Sequence, residues 1–197
     1  MFNNHITVAT SAFHSARQIN SCPNGHVLKN IHGHNFLATI RQTTADKDKC
    51  NLQKLENSLS QKIQKINYCL LNNILNHPSD ENIAKWLQNN CQGDGIFAYG
   101  IQSTEDQGAD VYQSEGSLIW RRYQIHAAHR LPNVPKGHKC GQMHGHTFGI
   151  AIHQLLVGPG DSKECDAYAS LDQAWHSIGK LLNFNCLNDF VFCLLEY

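Results

Sequence analysis

Histidines recur in this chain at spacings that suit a metal ion. Ala128-His129 is followed by His144-Gly145-His146, and much earlier Phe13-His14 is followed by His32-Gly33-His34. The two His-Gly-His units lie 112 residues apart, from His32 to His144, and each precedes a strand-like run. Alternate residues of a strand point to the same face, so each unit presents two imidazoles side by side. Three histidines leave the fourth position of a tetrahedral zinc ion open, which is the arrangement of a catalytic zinc.

The repetition predicts two Zn²⁺ sites, one in each half of the chain. A single His-x-His is more often a chance surface pair than a ligand pair, but recurrence with an upstream histidine favours a site. The segment between His14 and His32 is three residues longer than that between His129 and His144, so we expect the first site to hold zinc less reliably. The predicted ligands are His129, His144 and His146 in the second half, and His14, His32 and His34 in the first.

A cysteine and a glutamate are candidates for chemistry beside the metal. Cys140 precedes His144 by four residues in a Gly-rich loop. A thiol near a cation has a lowered pKa and can serve as general base or nucleophile, although a fourth zinc ligand or an inert thiol are alternatives. The aligned residue of the first half is Leu28, and nearby Cys22 is a candidate displaced thiol. Glu105 follows a strand, where its carboxylate can bind a guanidine-like ring edge or simply face solvent.

These residues need strands and helices to position them. Short strands are predicted at 6–13 and 35–40, with a His- and Gly-rich loop between them. Apolar residues at steps of three and four from Leu52 to Leu70 predict a helix of about five turns. Ser79 then caps a second helix, a closing strand covers 97–103, and the polar stretch 108–116 reads as a linker.

The second half repeats this order and then stops. A strand opens at Leu118, another covers 148–152, and Leu171 to Leu182 mark a helix. The chain ends in the apolar run 190–197, with no counterpart to the Ser79 helix or the closing strand. We therefore predict a complete first domain, 1–112, which lacks the catalytic cysteine, and a truncated second domain, 117–197.

The composition of the chain indicates which partners and which cellular environment to expect. Lys plus Arg and Asp plus Glu are both 16 in 197 residues, so the net charge is zero and there is no basic stripe for nucleic acid. The first residues lack the pattern of a signal peptide, and the apolar stretches are too short to span a bilayer. The eight cysteines form no compact framework, so we expect reduced thiols in a cytoplasmic protein.

The block 127–148, from Ala127-Ala128-His129-Arg130 to His144-Gly145-His146-Thr147-Phe148, strongly resembles the bacterial 6-carboxytetrahydropterin synthases. These form a branch of the 6-pyruvoyltetrahydropterin synthase family, and the Cys-x-x-x-His-Gly-His spacing is similar to that of the queuosine-pathway enzymes. The first half resembles the family more loosely, through Phe13-His14, His32-Gly33-His34, the helix after Pro78-Ser79, and Glu105.

The resemblance implies an α+β tunnelling fold, an antiparallel four-stranded sheet with two helices on one face, here in tandem. It implies homo-oligomers whose sheets close into barrels with active sites between subunits. The implied reaction converts 7,8-dihydroneopterin triphosphate into 6-carboxytetrahydropterin, acetaldehyde and triphosphate. In that scheme zinc on His129, His144 and His146 polarises substrate oxygens, Cys140 moves protons, and Glu105 anchors the pterin ring.

The chain departs from the family at one motif. The family usually has Leu-Asp-His before its second helix, whereas the aligned residues are Leu182-Asn183-Phe184 and Ile66-Asn67-Tyr68. Three hypotheses stay open. They are a zinc-dependent carbon–oxygen lyase acting on a reduced pterin, a zinc- or pterin-binding or assembly module that has lost catalysis, and the sister activity, 6-pyruvoyltetrahydropterin synthase. The missing Asp-His pair favours the module, and the intact block around Cys140 favours the lyase.

Overall fold

The chain folds around one antiparallel sheet of six strands in sequential order, as seen in a computed structural model that describes residues 5–44, 51–114, 116–156 and 164–190. The predicted α+β class is confirmed, but the strands form one continuous sheet rather than separate four-stranded units. The strands are β1 (His5–Arg17), β2 (His32–Thr44), β3 (Ile96–Thr104), β4 (Gln107–Tyr112), β5 (Gly116–His129) and β6 (His144–Leu156).

Three α-helices cover one face of this sheet. They are α1 (Leu52–Ile63), α2 (Asp80–Asn90) and α3 (Glu164–Leu182). The larger core lies between α1, α2 and β1–β4, and includes Phe13 stacked on Phe36 with ring centroids 4.8 Å apart. A smaller cluster joins α3 to β4 and β5 through Tyr168, Leu171 and Ile119.

The helices begin where the sequence supplies caps. Ser79 accepts a hydrogen bond from the backbone N–H of Asn82 at 3.2 Å, which confirms the predicted start of α2. Asn51 caps α1 in the same way, through the N–H of Lys54. The predicted five-turn helix is too long, because α1 ends at Ile63 and continues as a 3₁₀ turn only to Ile66.

The stretch predicted as a linker contains a strand, and that prediction is wrong. β4 lies between β3 and β5, and its backbone pairs with both neighbours. The stretch was predicted as a linker because it is polar and contains glycine. Gly108 is needed for close packing, since a Cβ there would lie 2.3 Å from the Ile101 carbonyl oxygen and 2.6 Å from Trp120 Cζ2. The sheet therefore runs without interruption from the first half into the second.

The hairpins β1–β2 and β5–β6 repeat each other with one offset. Arg17 pairs with His32 as His129 pairs with His144, and Phe13 pairs with Phe36 as Ile125 pairs with Phe148. Both loops contain a 3₁₀ turn capped by a histidine ring nitrogen. An offset of 112 residues thus relates the two hairpins throughout, and their loops are equal in length.

Two properties of the chain bear on its environment. Cys22 is disulfide-bonded, so the prediction of reduced thiols is wrong at that position, whereas Cys69, Cys91, Cys140 and Cys186 are free. Within the described ranges, no helix combines the length and the apolar character needed to cross a membrane.

Candidate metal centre and adjacent clefts

Three histidines converge at the loop end of the β5–β6 hairpin. His129 is directly opposite His144, and His146 is two residues further along β6, so all three side chains lie on the helix-bearing face. Their ligand atoms all lie within 4.8 Å of one another. The structure therefore brings together the three residues predicted for the second metal site.

The ring nitrogens of this group are arranged as a metal site requires. The His144 Nδ1–H donates to the Gln142 carbonyl oxygen at 2.8 Å, which leaves its Nε2 lone pair for a ligand. The Nε2 atom of His129 is buried and has no hydrogen-bond partner among the described residues. Burial and the two neighbouring imidazoles lower the pKa of His129, which favours the neutral, metal-binding form. Three converging imidazoles are a ligand set that fits zinc.

The first hairpin does not bring its predicted ligands together. His14 pairs with Asn35, whereas His32 and His34 are opposite Arg17 and Ser15, so His14 lies on the other face of the sheet. The group predicted from His14, His32 and His34 is therefore wrong as a single site. The longer spacing that suggested a weaker site arose because His14 corresponds to His126 and not to His129.

Arg17 occupies the position that corresponds to His129. Its side chain is 1% exposed and its guanidinium donates to Asp80 Oδ1 at 2.7 Å. It also donates to His34 Nε2 at 3.3 Å and lies over the Phe36 ring. Burial and the Arg17 charge lower the pKa of His34 to about 4. His34 is thus neutral at physiological pH and accepts a hydrogen bond from Arg17. At the corresponding position of the second hairpin, His146 faces His129 and His144 instead.

Asp80 links this cluster to the second half of the chain. Its Oδ2 accepts hydrogen bonds of 2.7 Å from both Ser103 and Tyr168, and Tyr168 belongs to α3. The Tyr168 hydroxyl lies 3.0 Å from the Gly108 carbonyl oxygen as well. The spacing of the histidines did not predict a role for Arg17 or Asp80, because neither residue is part of that pattern. The constant offset of 112 was the available signal, since it aligns Arg17 with His129.

A cleft of about 920 Å³ opens beside the first hairpin. Glu105 lies on its wall, as do His14 and His34. The His14 ring nitrogen Nδ1 is 2.8 Å from Asn35 Oδ1, so His14 faces this cleft rather than a metal site. Polar side chains from β3, Gln102 and Thr104, complete the wall next to Glu105. We call this the first cleft.

A second cleft, of about 670 Å³, repeats the first at the β5–β6 hairpin. Its lining residues correspond one by one to those of β1, β2 and the turn 68–70, and they include His146 of the metal group. No strand follows β6 in the described part of the sheet, so this cleft has no counterpart of the Gln102–Glu105 wall.

Cys140 lies in the 3₁₀ turn of the second loop. Its backbone N–H donates to His138 Nδ1 at 3.2 Å, and its carbonyl oxygen accepts from the Leu131 N–H at 2.8 Å. The thiol is partly exposed and is not part of the three-histidine group. Cys140 and Glu105 belong to different hairpins, and neither of the two clefts is lined by both.

Tyr68 and Phe184 are aromatic residues at matching positions beside the two clefts. Tyr68 and Phe184 both have left-handed backbones, with φ of 51° and 58°, and both side chains are about four-fifths exposed at the edges of the clefts. The preceding residues, Asn67 and Asn183, accept hydrogen bonds from the backbone N–H groups of His14 and His126. These asparagines brace the hairpins.

Comparisons with known proteins show what this chain is similar to. Residues 118–193 match the family model described as 6-pyruvoyl tetrahydropterin synthase. The 6-pyruvoyl tetrahydropterin synthase of Caenorhabditis elegans is similar over 53% of this chain and 91% of its own, at 15% identity and a TM-score of 0.46. The synthase of Plasmodium falciparum is similar over 59% of this chain and 96% of its own, at 14% identity and a TM-score of 0.40. The matched segment, which carries His129, Cys140, His144 and His146, is thus similar to the 6-pyruvoyl tetrahydropterin synthase family.

Proposed function

We propose that the chain is a zinc-dependent 6-carboxytetrahydropterin synthase acting on 7,8-dihydroneopterin triphosphate. The observation that carries this proposal is the group His129, His144 and His146, whose converging nitrogens include a buried Nε2 without a hydrogen-bond partner among the described residues. One of the three, His146, also lines the second cleft. Cys140, four residues before His144, has the spacing of the carboxytetrahydropterin-forming branch.

Each residue has a separate task in this proposal. His129, His144 and His146 would hold zinc, which when bound polarises substrate oxygens as a Lewis acid. Cys140, with its free and partly exposed thiol, moves protons at the substrate side chain. Glu105, on the wall of the first cleft, accepts two hydrogen bonds from the guanidine-like edge of the pterin.

The proposal involves two chains, because neither of the two clefts described for one chain is lined by both Cys140 and Glu105. Among the described residues, the second cleft has no counterpart of the Glu105 wall, and the first cleft has this wall without Cys140. We therefore propose a homo-oligomer in the cytoplasm, built from chains with domains at 1–112 and 117–197. Sedimentation should give an oligomer, whereas an active monomer would contradict the shared site.

A non-catalytic pterin-binding module is the second candidate function. It is favoured by Phe184, which has no titratable group, and by Asn183, whose side-chain oxygen is occupied by the His126 N–H. With these residues at the position of the acid–base pair, proton transfer would depend on Cys140 alone.

The test is a product analysis with purified protein, zinc and 7,8-dihydroneopterin triphosphate. The proposal predicts 6-carboxytetrahydropterin with equimolar acetaldehyde and triphosphate, and loss of all three products in the His144→Ala variant. Release of 6-pyruvoyltetrahydropterin would assign the sister activity. Tight binding of the reduced pterin with no product would assign the non-catalytic module.

A further inference from the structure

We infer that Arg17 acts as a built-in cation in the first hairpin, in the position that a metal ion would take, so that this hairpin binds no metal. The inference concerns His32, His34 and Arg17 only. It stands or falls independently of the proposed activity, which rests on the other hairpin.

The register of the two hairpins supports this assignment. Arg17 faces His32 across the strand pair as His129 faces His144, and His34 corresponds to His146. The histidines are also oriented alike, because His32 Nδ1–H donates to the Asn30 carbonyl oxygen at 2.8 Å as His144 Nδ1–H donates to that of Gln142. The first hairpin thus has the arrangement of a three-ligand site, with Arg17 in the position of one of the three histidines.

The arginine uses the lone pair that a metal would need. Its NH2 group donates to His34 Nε2 at 3.3 Å, so that nitrogen already serves as an acceptor. The Nε2 atom of His32 is buried and has no hydrogen-bond partner in the described part of the chain. One imidazole lone pair is therefore occupied and one is left, next to a permanent positive charge that repels a metal cation.

The surroundings balance the charge of an arginine rather than that of a metal. The guanidinium donates 2.7 Å and 3.1 Å hydrogen bonds to Asp80 Oδ1 and the Pro78 carbonyl oxygen, and both ionic side chains are 1% exposed. A buried carboxylate of this kind requires a cation. Around the His129 group, no acidic residue lies within the ligand cluster of the described chain.

Metal titrations can test the inference without any activity assay. The background is the His129/His144/His146 triple-alanine variant, which removes the second site. In it, calorimetry with Zn²⁺ should show no stoichiometric binding at the first hairpin. Arg17→His with Asp80→Asn in the same background should create a site for one zinc per chain. The matched control is Arg17→Met with Asp80→Asn, which removes the charge but supplies no third imidazole.

Two results would overturn the inference. One is a stoichiometric zinc in the triple-alanine background that disappears on His32→Ala. The other is a folded Arg17→His/Asp80→Asn variant that binds no zinc. If circular dichroism shows that this variant is unfolded, the Arg17→Met/Asp80→Asn control decides. With the guanidinium gone, its two imidazoles should bind one zinc per chain where the background binds none, and the absence of binding by this folded control would count against the inference.

Discussion

Removing the Asp80 carboxylate should destabilise the protein far more than removing an exposed partner of an arginine. Asp80→Ala leaves the Arg17 charge buried without its carboxylate and also breaks the hydrogen bonds from Ser103 and Tyr168. Loss of one partner of a buried ion pair costs about 3 to 5 kcal/mol. For a chain of this size, each kcal/mol lowers Tm by about 2 to 4 °C, so Tm should fall by about 6 to 20 °C.

The assay is thermal and urea unfolding followed by circular dichroism, with Asp172→Ala as the matched control. Asp172 also pairs with an arginine, Arg121, but its side chain is 51% exposed. Exposed pairs contribute about 0 to 1 kcal/mol, so the control should change Tm little. If Asp80→Ala costs no more than Asp172→Ala, the view of Asp80 as the counterion that links the two halves is refuted.

Three further predictions follow from single residues. Cys140→Ala should abolish turnover and leave the metal content unchanged, since three histidines suffice as ligands; loss of metal from this variant would make Cys140 a ligand. Gly108→Ala should lower stability by about 1 to 3 kcal/mol in urea unfolding, because its Cβ would meet Ile101 and Trp120, whereas Gly149→Ala, with nothing within 4 Å, should be tolerated. The free energy of unfolding should decrease as pH falls from about 6.5 towards 4, because His34 is protonated in the unfolded chain over this range but stays neutral in the folded chain until about pH 4. The His34→Gln variant should show a smaller dependence of stability on pH in urea unfolding, and an unchanged dependence would contradict this role of His34.

The sequence was sufficient for the elements whose signals are local. Ser79 marked the start of α2 because N-cap chemistry depends on the nearest residues only. The group His129, His144 and His146 could be predicted because a strand fixes which side chains share a face.

The missed features depend on pairing between distant residues. β4 is polar and glycine-containing, and only its place between two strands makes it regular structure. His14 was assigned by its neighbour Phe13 rather than by its cross-strand partner, and a shift of three residues along a strand reverses the face. Arg17 carried no local signal, because its role depends on Asp80, 63 residues away.

The loop end of the β5–β6 hairpin extends beyond the part of the sheet that β4 supports. β4 supports β5 only as far as Arg121, and His129 lies eight residues, or roughly 26 Å, beyond that point. On the edge of β5 that β4 leaves unpaired, this overhang is attached by hydrogen bonds from the Ala128 N–H to the Asn185 carbonyl oxygen and from the Phe184 N–H to the His126 carbonyl oxygen, just after α3. The rigidity of the three-histidine group therefore depends on how firmly the segment after α3 is held. An ion that joined His129 to His144 would tie β5 to β6 at the loop end of the hairpin.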